Sequence, residues 1–298
     1  MIGKKDFDEI IKQNIKEYIG RDVFGYRMTE TKTKVYGNYY SNDEFDAFVA
    51  EMKSPPYQEI YRAYNDGKGS ELVTKNGRYG KMPPKMASVA SSSRFCYLAL
   101  RDGAQGIGGS GIVEFEKECR IKDLSGTAPQ LDAYIPNDNI YVEAKCHEIF
   151  DSHKVKLKEK YWDMIYGNDN CFGFEVVEKA DEEEFEIPLS VFGIEKASSM
   201  FDIKQFLCHL LGVKSQKEDA EQATLVYLFF KPKAKSESVQ MEIDEIFDKL
   251  REEIVKIFNS APVQQFVASN NIHLRAVAEY SEVMEPVSKN NIISIAEI

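Results

Sequence analysis

The residues of this chain best suited to joint chemistry are Asp132, Glu143 and Lys145, within a stretch that runs from Pro129 to His147. It reads P-Q-L-D-A-Y-I, then P-N-D-N, then I-Y-V-E-A-K-C-H. Both arms alternate apolar and polar residues with a period of two, and Pro-Asn-Asp-Asn has turn chemistry, so the pattern predicts two adjacent antiparallel strands. Leu131, Ala133 and Ile135 share one face of the first arm, and Val142, Ala144 and Cys146 share one face of the second. The opposite faces carry Gln130, Asp132 and Tyr134 on one arm and Tyr141, Glu143, Lys145 and His147 on the other. If these polar faces coincide, two carboxylates and an ammonium converge. Paired carboxylates repel each other unless a cation lies between them, and hard oxygen donors suit Mg²⁺ or Mn²⁺. A lysine beside them can orient or deprotonate a metal-polarised water, which together is the apparatus of phosphodiester hydrolysis. The competing reading is a half-solvated strand with its charges turned outward. Three features favour the site: an aspartate on the preceding strand, the short turn, and the proline that opens the first arm.

Pro129, Asp132 and Glu143-Ala144-Lys145 resemble the signature of the PD-(D/E)XK nuclease superfamily, whose restriction-endonuclease-like core carries Asp and then Glu-x-Lys on neighbouring strands. That signature usually has the aspartate directly after the proline, whereas Gln130 and Leu131 intervene here. The resemblance spans roughly residues 84–232 and implies an α/β protein with a mixed sheet in α-β-β-β-α-β order. It also implies a Mg²⁺-dependent nuclease with Asp132 and Glu143 as metal ligands and Lys145 positioning the attacking water. DNA is the first expectation for the substrate. In the superfamily the helix after the E-x-K strand often presents a Gln toward the site, which would make Gln205 and His209 supporting residues. The alternative is a catalytically inactive member of the same fold that binds nucleic acid or protein.

The surrounding elements must place these residues. Met86 to Leu100 has no helix breaker and reads as a buried helix opening the core; it contains no Glu, so any third carboxylate comes from elsewhere. Ile112 to Ile121 reads as a strand with Val113, Phe115, Cys119 and Ile121 inward and Glu114, Glu116, Glu118 and Arg120 outward. Of these, Glu114 or Glu116 is the nearest further carboxylate, although solvated charge on an outer strand is the simpler account. The glycine-rich loop before this strand lacks a following Lys-Ser/Thr and leads into a strand, so it fits neither phosphate-binding fingerprint. Ser198-Ser199 predicts the cap of a helix through Phe201 to Leu211 with Gly212 as its stop, and on it Gln205 and His209 lie four apart, on one face. On such a helix a histidine can equally be a packing residue. Ala223 to Phe230 is a continuous apolar run of the fully buried strand type.

Outside this core the spacing predicts helices over Asp6 to Ile19, from Ser41 to Pro55, and from Ile243 to Phe258, with a late strand from Ile272 to Tyr280. Val35 to Tyr40 gives no clear reading, and Lys75-Asn76-Gly77 reads as a loop. Residues 1–83 thus form a mainly helical accessory region and 84–298 the nuclease core with a C-terminal helix and strand. Lysines alternate through His153 to Trp162 just after the proposed metal site, giving either a backbone-binding strip or a solvated helix face. Glu178 to Glu186 is acidic and reads as a surface loop or edge.

The 298 residues, 43% hydrophobic and 29% charged, are ordinary for a globular chain able to bury a full core. No apolar run is long enough to span a bilayer and the N-terminus lacks a signal-peptide core, which places the chain in the cytoplasm and leaves a homodimer open. Five cysteines without a C-x-x-C pair argue against a disulfide framework or structural zinc. A net charge of −11 opposes non-specific nucleic-acid binding, so the nuclease reading requires a local basic strip or bound metal.

Overall fold

The computed structural model of the chain describes residues 2–28, 34–67, 71–77, 80–122, 124, 126, 128–167, 169–174, 178–179 and 184–298. The N-terminal part contains α1 (Lys4–Ile19), β1 (Phe24–Arg27), β2 (Val35–Tyr40), α2 (Asn42–Lys53), α3 (Gln58–Asp66), β3 (Lys75–Gly77) and β4 (Gly80–Met82). There follow α4 (Ser92–Leu100), β5 (Glu114–Glu118), β6 (Gln130–Ile135), β7 (Ile140–Lys145), β8 (Val155–Lys158), α5 (Trp162–Ile165), β9 (Glu178–Lys179) and β10 (Glu184–Ile187). The chain continues with α6 (Ile203–Gln216), β11 (Ala223–Pro232), α7 (Glu237–Phe258), α8 (Ala261–Asn270), β12 (Ile272–Ser281) and β13 (Ile292–Glu297).

A mixed six-stranded sheet in the order β13-β12-β11-β7-β6-β5 organises the molecule. Its centre is β11, parallel to both β7 and β12, and eight of its ten residues are buried, as its unbroken apolar sequence requires. The antiparallel β6–β7 pair turns through Pro136–Asp138 and Asn139, whose left-handed backbone (φ 51°, ψ 44°) suits Asn better than most side chains. Helices cover both faces: α4 packs Phe95 against Phe230 on one, and α6 packs Phe206 against Tyr227 on the other. The N-terminal elements join the same apolar core, with Phe7 on Phe150 (5.1 Å) and Phe48 on Tyr97 (5.5 Å). Among the described residues no helix is long and apolar enough to cross a membrane.

Several local expectations are corrected. The helix expected from Met86 begins only at Ser92, because Ser88 bridges Tyr39, the Val89 N–H reaches the Asn38 carbonyl, and Ser91 then caps the helix. The strand expected over Ile112 to Ile121 is confined to Glu114–Glu118. Lys75–Gly77 pairs with Gly80–Met82 as a hairpin, and Val35–Tyr40 is a strand paired with β1. The lysine strip forms β8, not a helix, and pairs with β10 out of the acidic segment, of which residues 180–183 lie outside the described residues.

The cap of α6 is Asp202, not Ser198 or Ser199. Ser199 and Met200 are instead held by the buried Glu253 carboxylate. Gly212 lies inside α6 and does not end it: a Cβ there would sit 2.9 Å from that of Cys119, so the glycine lets the helix lie closely on the segment after β5.

Glu279 on β12 is fully buried; Oε1 accepts the Ser281 hydroxyl and the Glu285 N–H, while Oε2 has no hydrogen-bond partner among the described residues. Burial pushes its carboxyl up to about 8. Since the unfolded chain releases this proton near pH 4.3, the stability it contributes is complete below that pH and is lost as pH rises toward 8. Where one proton separates the two states, the slope is about 1.4 kcal/mol per pH unit. Glu279→Gln should flatten denaturant-derived stability between pH 5 and 8; an unchanged slope would show that Glu279 is not its source.

Candidate functional site

The β6–β7 register sets Ala133 opposite Val142 and Tyr134 opposite Tyr141, so Asp132 stands level with Glu143 one step further on. There the ladder ends and the Asp132 side chain takes over, with Oδ2 accepting the Ala144 N–H at 2.8 Å. Two residues along β7 on the same face, Lys145 donates to Glu143 Oε1 at 2.8 Å. From α6, Gln205 bridges the pair: its Oε1 accepts from Lys145 Nζ (2.7 Å) and its Nε2 donates to Glu143 Oε1 (2.9 Å). One turn later His209 places Nε2 3.8 Å from Glu143 Oε2, and its Nδ1 is 2.9 Å from the hydroxyl of Tyr227, Glu143's neighbour on β11. The structure thus gathers the other four residues singled out in the sequence, Asp132, Lys145, Gln205 and His209, around Glu143.

A sixth residue, Glu116, is brought beside them by its backbone. The β5–β6 register brings Glu116 level with Asp132, but Glu116 has a left-handed backbone (φ 57°), which breaks the period-two pattern that would have assigned its side chain to solvent. Glu116 is half-buried, and its Oε2 accepts from Gln130 at 2.8 Å. Burial, then the Glu71 charge and that of Glu143, push its carboxyl up to about 7, against the pull of Lys85. Glu114, the other candidate, is exposed and pairs with Lys117. No residue type distinguishes the two glutamates; only the backbone does.

The electrostatics are those of crowded negative charge. Burial and then Glu143 raise the Asp132 carboxyl well above the carboxylate range, with the Ala144 N–H and Lys145 as partial relief. Lys145 loses hydration too, but Glu143 and Glu148 more than offset this and hold its ammonium above the usual lysine value. Lys145 is held as the ammonium and donates to Glu143 and Gln205. Burial depresses His209 despite Glu143 nearby, so its imidazole is neutral at pH 7 and acts as a polar packing group between Tyr227 and the glutamate.

Comparison with protein-family models, with curated proteins and with solved structures finds no match to this chain. The site is therefore read from its own chemistry. Among the described residues, no three His, Cys, Asp or Glu side chains converge as a ready-made metal cage. The donor set still fits a hard divalent cation: Asp132 and Glu143 are level on adjacent strands, both are carboxylates, and the Glu143 charge raises the cost of ionising Asp132. Such an ion would relieve that repulsion.

Proposed function

We propose that this chain is a metal-dependent nuclease of the PD-(D/E)XK type, with the six-stranded sheet as a restriction-endonuclease-like core. The observation that carries the reading is the joining of Asp132, Glu143 and Lys145 on one sheet face with Gln205 from the following helix. Asp132 and Glu143 would hold Mg²⁺ or Mn²⁺, with Glu116 as the adjacent carboxylate. The ion, when bound, lowers the pKa of water and neutralises developing charge on phosphorus. Lys145 donates from its permanently charged Nζ to the attacking water or to a non-bridging phosphate oxygen. Gln205 fixes the Lys145 ammonium and keeps Glu143 in one rotamer, which sets the angle at which water meets phosphate. His209 and Tyr227 brace Glu143 from behind, and DNA is the substrate we test first.

Incubation of the wild type with plasmid and with single-stranded DNA in Mg²⁺ or Mn²⁺ should give cleavage that EDTA abolishes and that Asp132→Ala lacks. Cleavage by the Asp132→Ala protein at the wild-type rate would refute the assignment. A wild type that binds DNA without cutting it in either metal would leave a binding protein on this fold.

A further inference from the structure

Three hollows run end to end along the mouth of this site. One of about 150 Å³ is lined by Lys145, His153, Asp202, Gln205 and Phe229. The next, about 460 Å³, shares Asp202 and Gln205 with it and adds Gln130, Lys204, Cys208 and His209. The third, about 250 Å³, shares Pro129 and Tyr161 with the second and is bordered by Arg120 and Lys160. Shared walls make them one trough, with Lys145 and His153 beside Glu148 and Asp202 at one end, Lys204 in the middle, and Lys160 with the Arg120–Glu118 pair (3.0 Å) at the other. The trough divides the lysine strip. Lys154 and Lys156 reach toward Glu186 (3.7 and 3.9 Å) on the small sheet, whereas Lys160 borders the trough.

We propose that the trough is the path of a single-stranded polynucleotide across the site, an inference that rests on the nuclease reading above. The reacting groups lie below the surface: 7% of the Glu143 side chain and 13% of Lys145 remain exposed. Groups at that depth favour a single strand, which can rotate a phosphate inward and let its unstacked bases occupy the hollows, over a duplex, whose phosphates are held on a wide cylinder. A hollow of 460 Å³ is of the size that holds one small-molecule-sized group, as a nucleotide is. Basic side chains spaced along a groove are the general apparatus for holding such a strand by its backbone.

The test is fluorescence anisotropy in EDTA, so that nothing is cut, with labelled dT12, rU12 and a 12-base-pair duplex as probes over a salt series. A single strand should bind at least about tenfold more tightly than the duplex. Contacts from Lys204 and Lys160 should give a salt slope of about −1.4, at about −0.7 per phosphate contact on a single strand. Lys204→Ala and Lys160→Ala should each remove about 0.7 from it and weaken binding severalfold. Lys154→Ala with Lys156→Ala, which removes twice the charge of either trough variant but away from the trough, should leave binding unchanged. Whether dT12 or rU12 binds more tightly names the sugar. Duplex binding as tight as that of either single strand, or an unchanged slope in the two trough variants, would overturn the proposal. Trough-dependent binding by a wild type that never cuts would sink the nuclease reading and leave the path. Cleavage of duplex untouched by the trough variants would do the reverse.

Discussion

Replacing Lys145 by Met should lower cleavage turnover about a hundredfold or more, the loss expected when a fixed charge aimed at a developing oxyanion is removed. Methionine keeps most of the stem, so packing against the walls of the smallest hollow is largely retained. The Lys145 side chain is 13% exposed and joins Glu143 to Gln205, so its removal should also be felt in folding. A buried carboxylate left without its cation destabilises, and the metal-free variant should melt several degrees below the wild type. Mn²⁺ should then stabilise the variant more than the wild type, because the ion supplies the charge that Lys145 no longer does. Paired melts and cleavage assays separate the two roles. A melting loss in the variant, beside a wild type that cuts nothing in Mg²⁺ or Mn²⁺, would make Lys145 a structural counter-ion.

The parts of this arrangement readable from sequence are those fixed by neighbours along the chain. The strands β6 and β7 are joined by four residues, so their alternation and turn chemistry already set the level of Asp132 against Glu143. The same locality explains β11, whose apolar run admits only a buried strand, and the spacing of Gln205 and His209 on one helix face. What escaped depends on distant partners. Glu116 is turned by a left-handed backbone that its residue type does not announce. The start of α6 waits for Asp202 because Ser199 and Met200 are bound to Glu253, more than fifty positions later. Gly212 reads as a helix stop, yet it is the contact that lets α6 lie against Cys119 and so brings Gln205 within reach of β7. The lysines from Lys154 to Lys160 look like one strip until the long-range pairing of β8 with β10 sets Lys154 and Lys156 beside Glu186.

Asp132→Asn should shift stability and activity in opposite directions. Asparagine keeps an oxygen to accept the Ala144 N–H, preserves shape, and removes one of the two charges that Asp132 and Glu143 force on each other. In metal-free buffer at pH 8 the variant should therefore melt above the wild type, by about 2–4 °C if the relief is worth about 1 kcal/mol in a chain of this size. The gain should shrink as pH falls, because protonation relieves the raised carboxyl; a group held above its unfolded value costs the fold stability only as pH climbs toward the folded value. Cleavage should drop by about a thousandfold or more, since an amide oxygen is a poor substitute for a carboxylate in holding a divalent ion. Addition of Mn²⁺ should raise the melting point of the wild type at pH 8 and leave the variant unmoved. The opposite sign, a metal-free variant that melts below the wild type, would mean that Asp132 is anchored by the Lys145 charge more than it is repelled by Glu143, and the carboxylate pair would then be a structural ion network with no need of a metal.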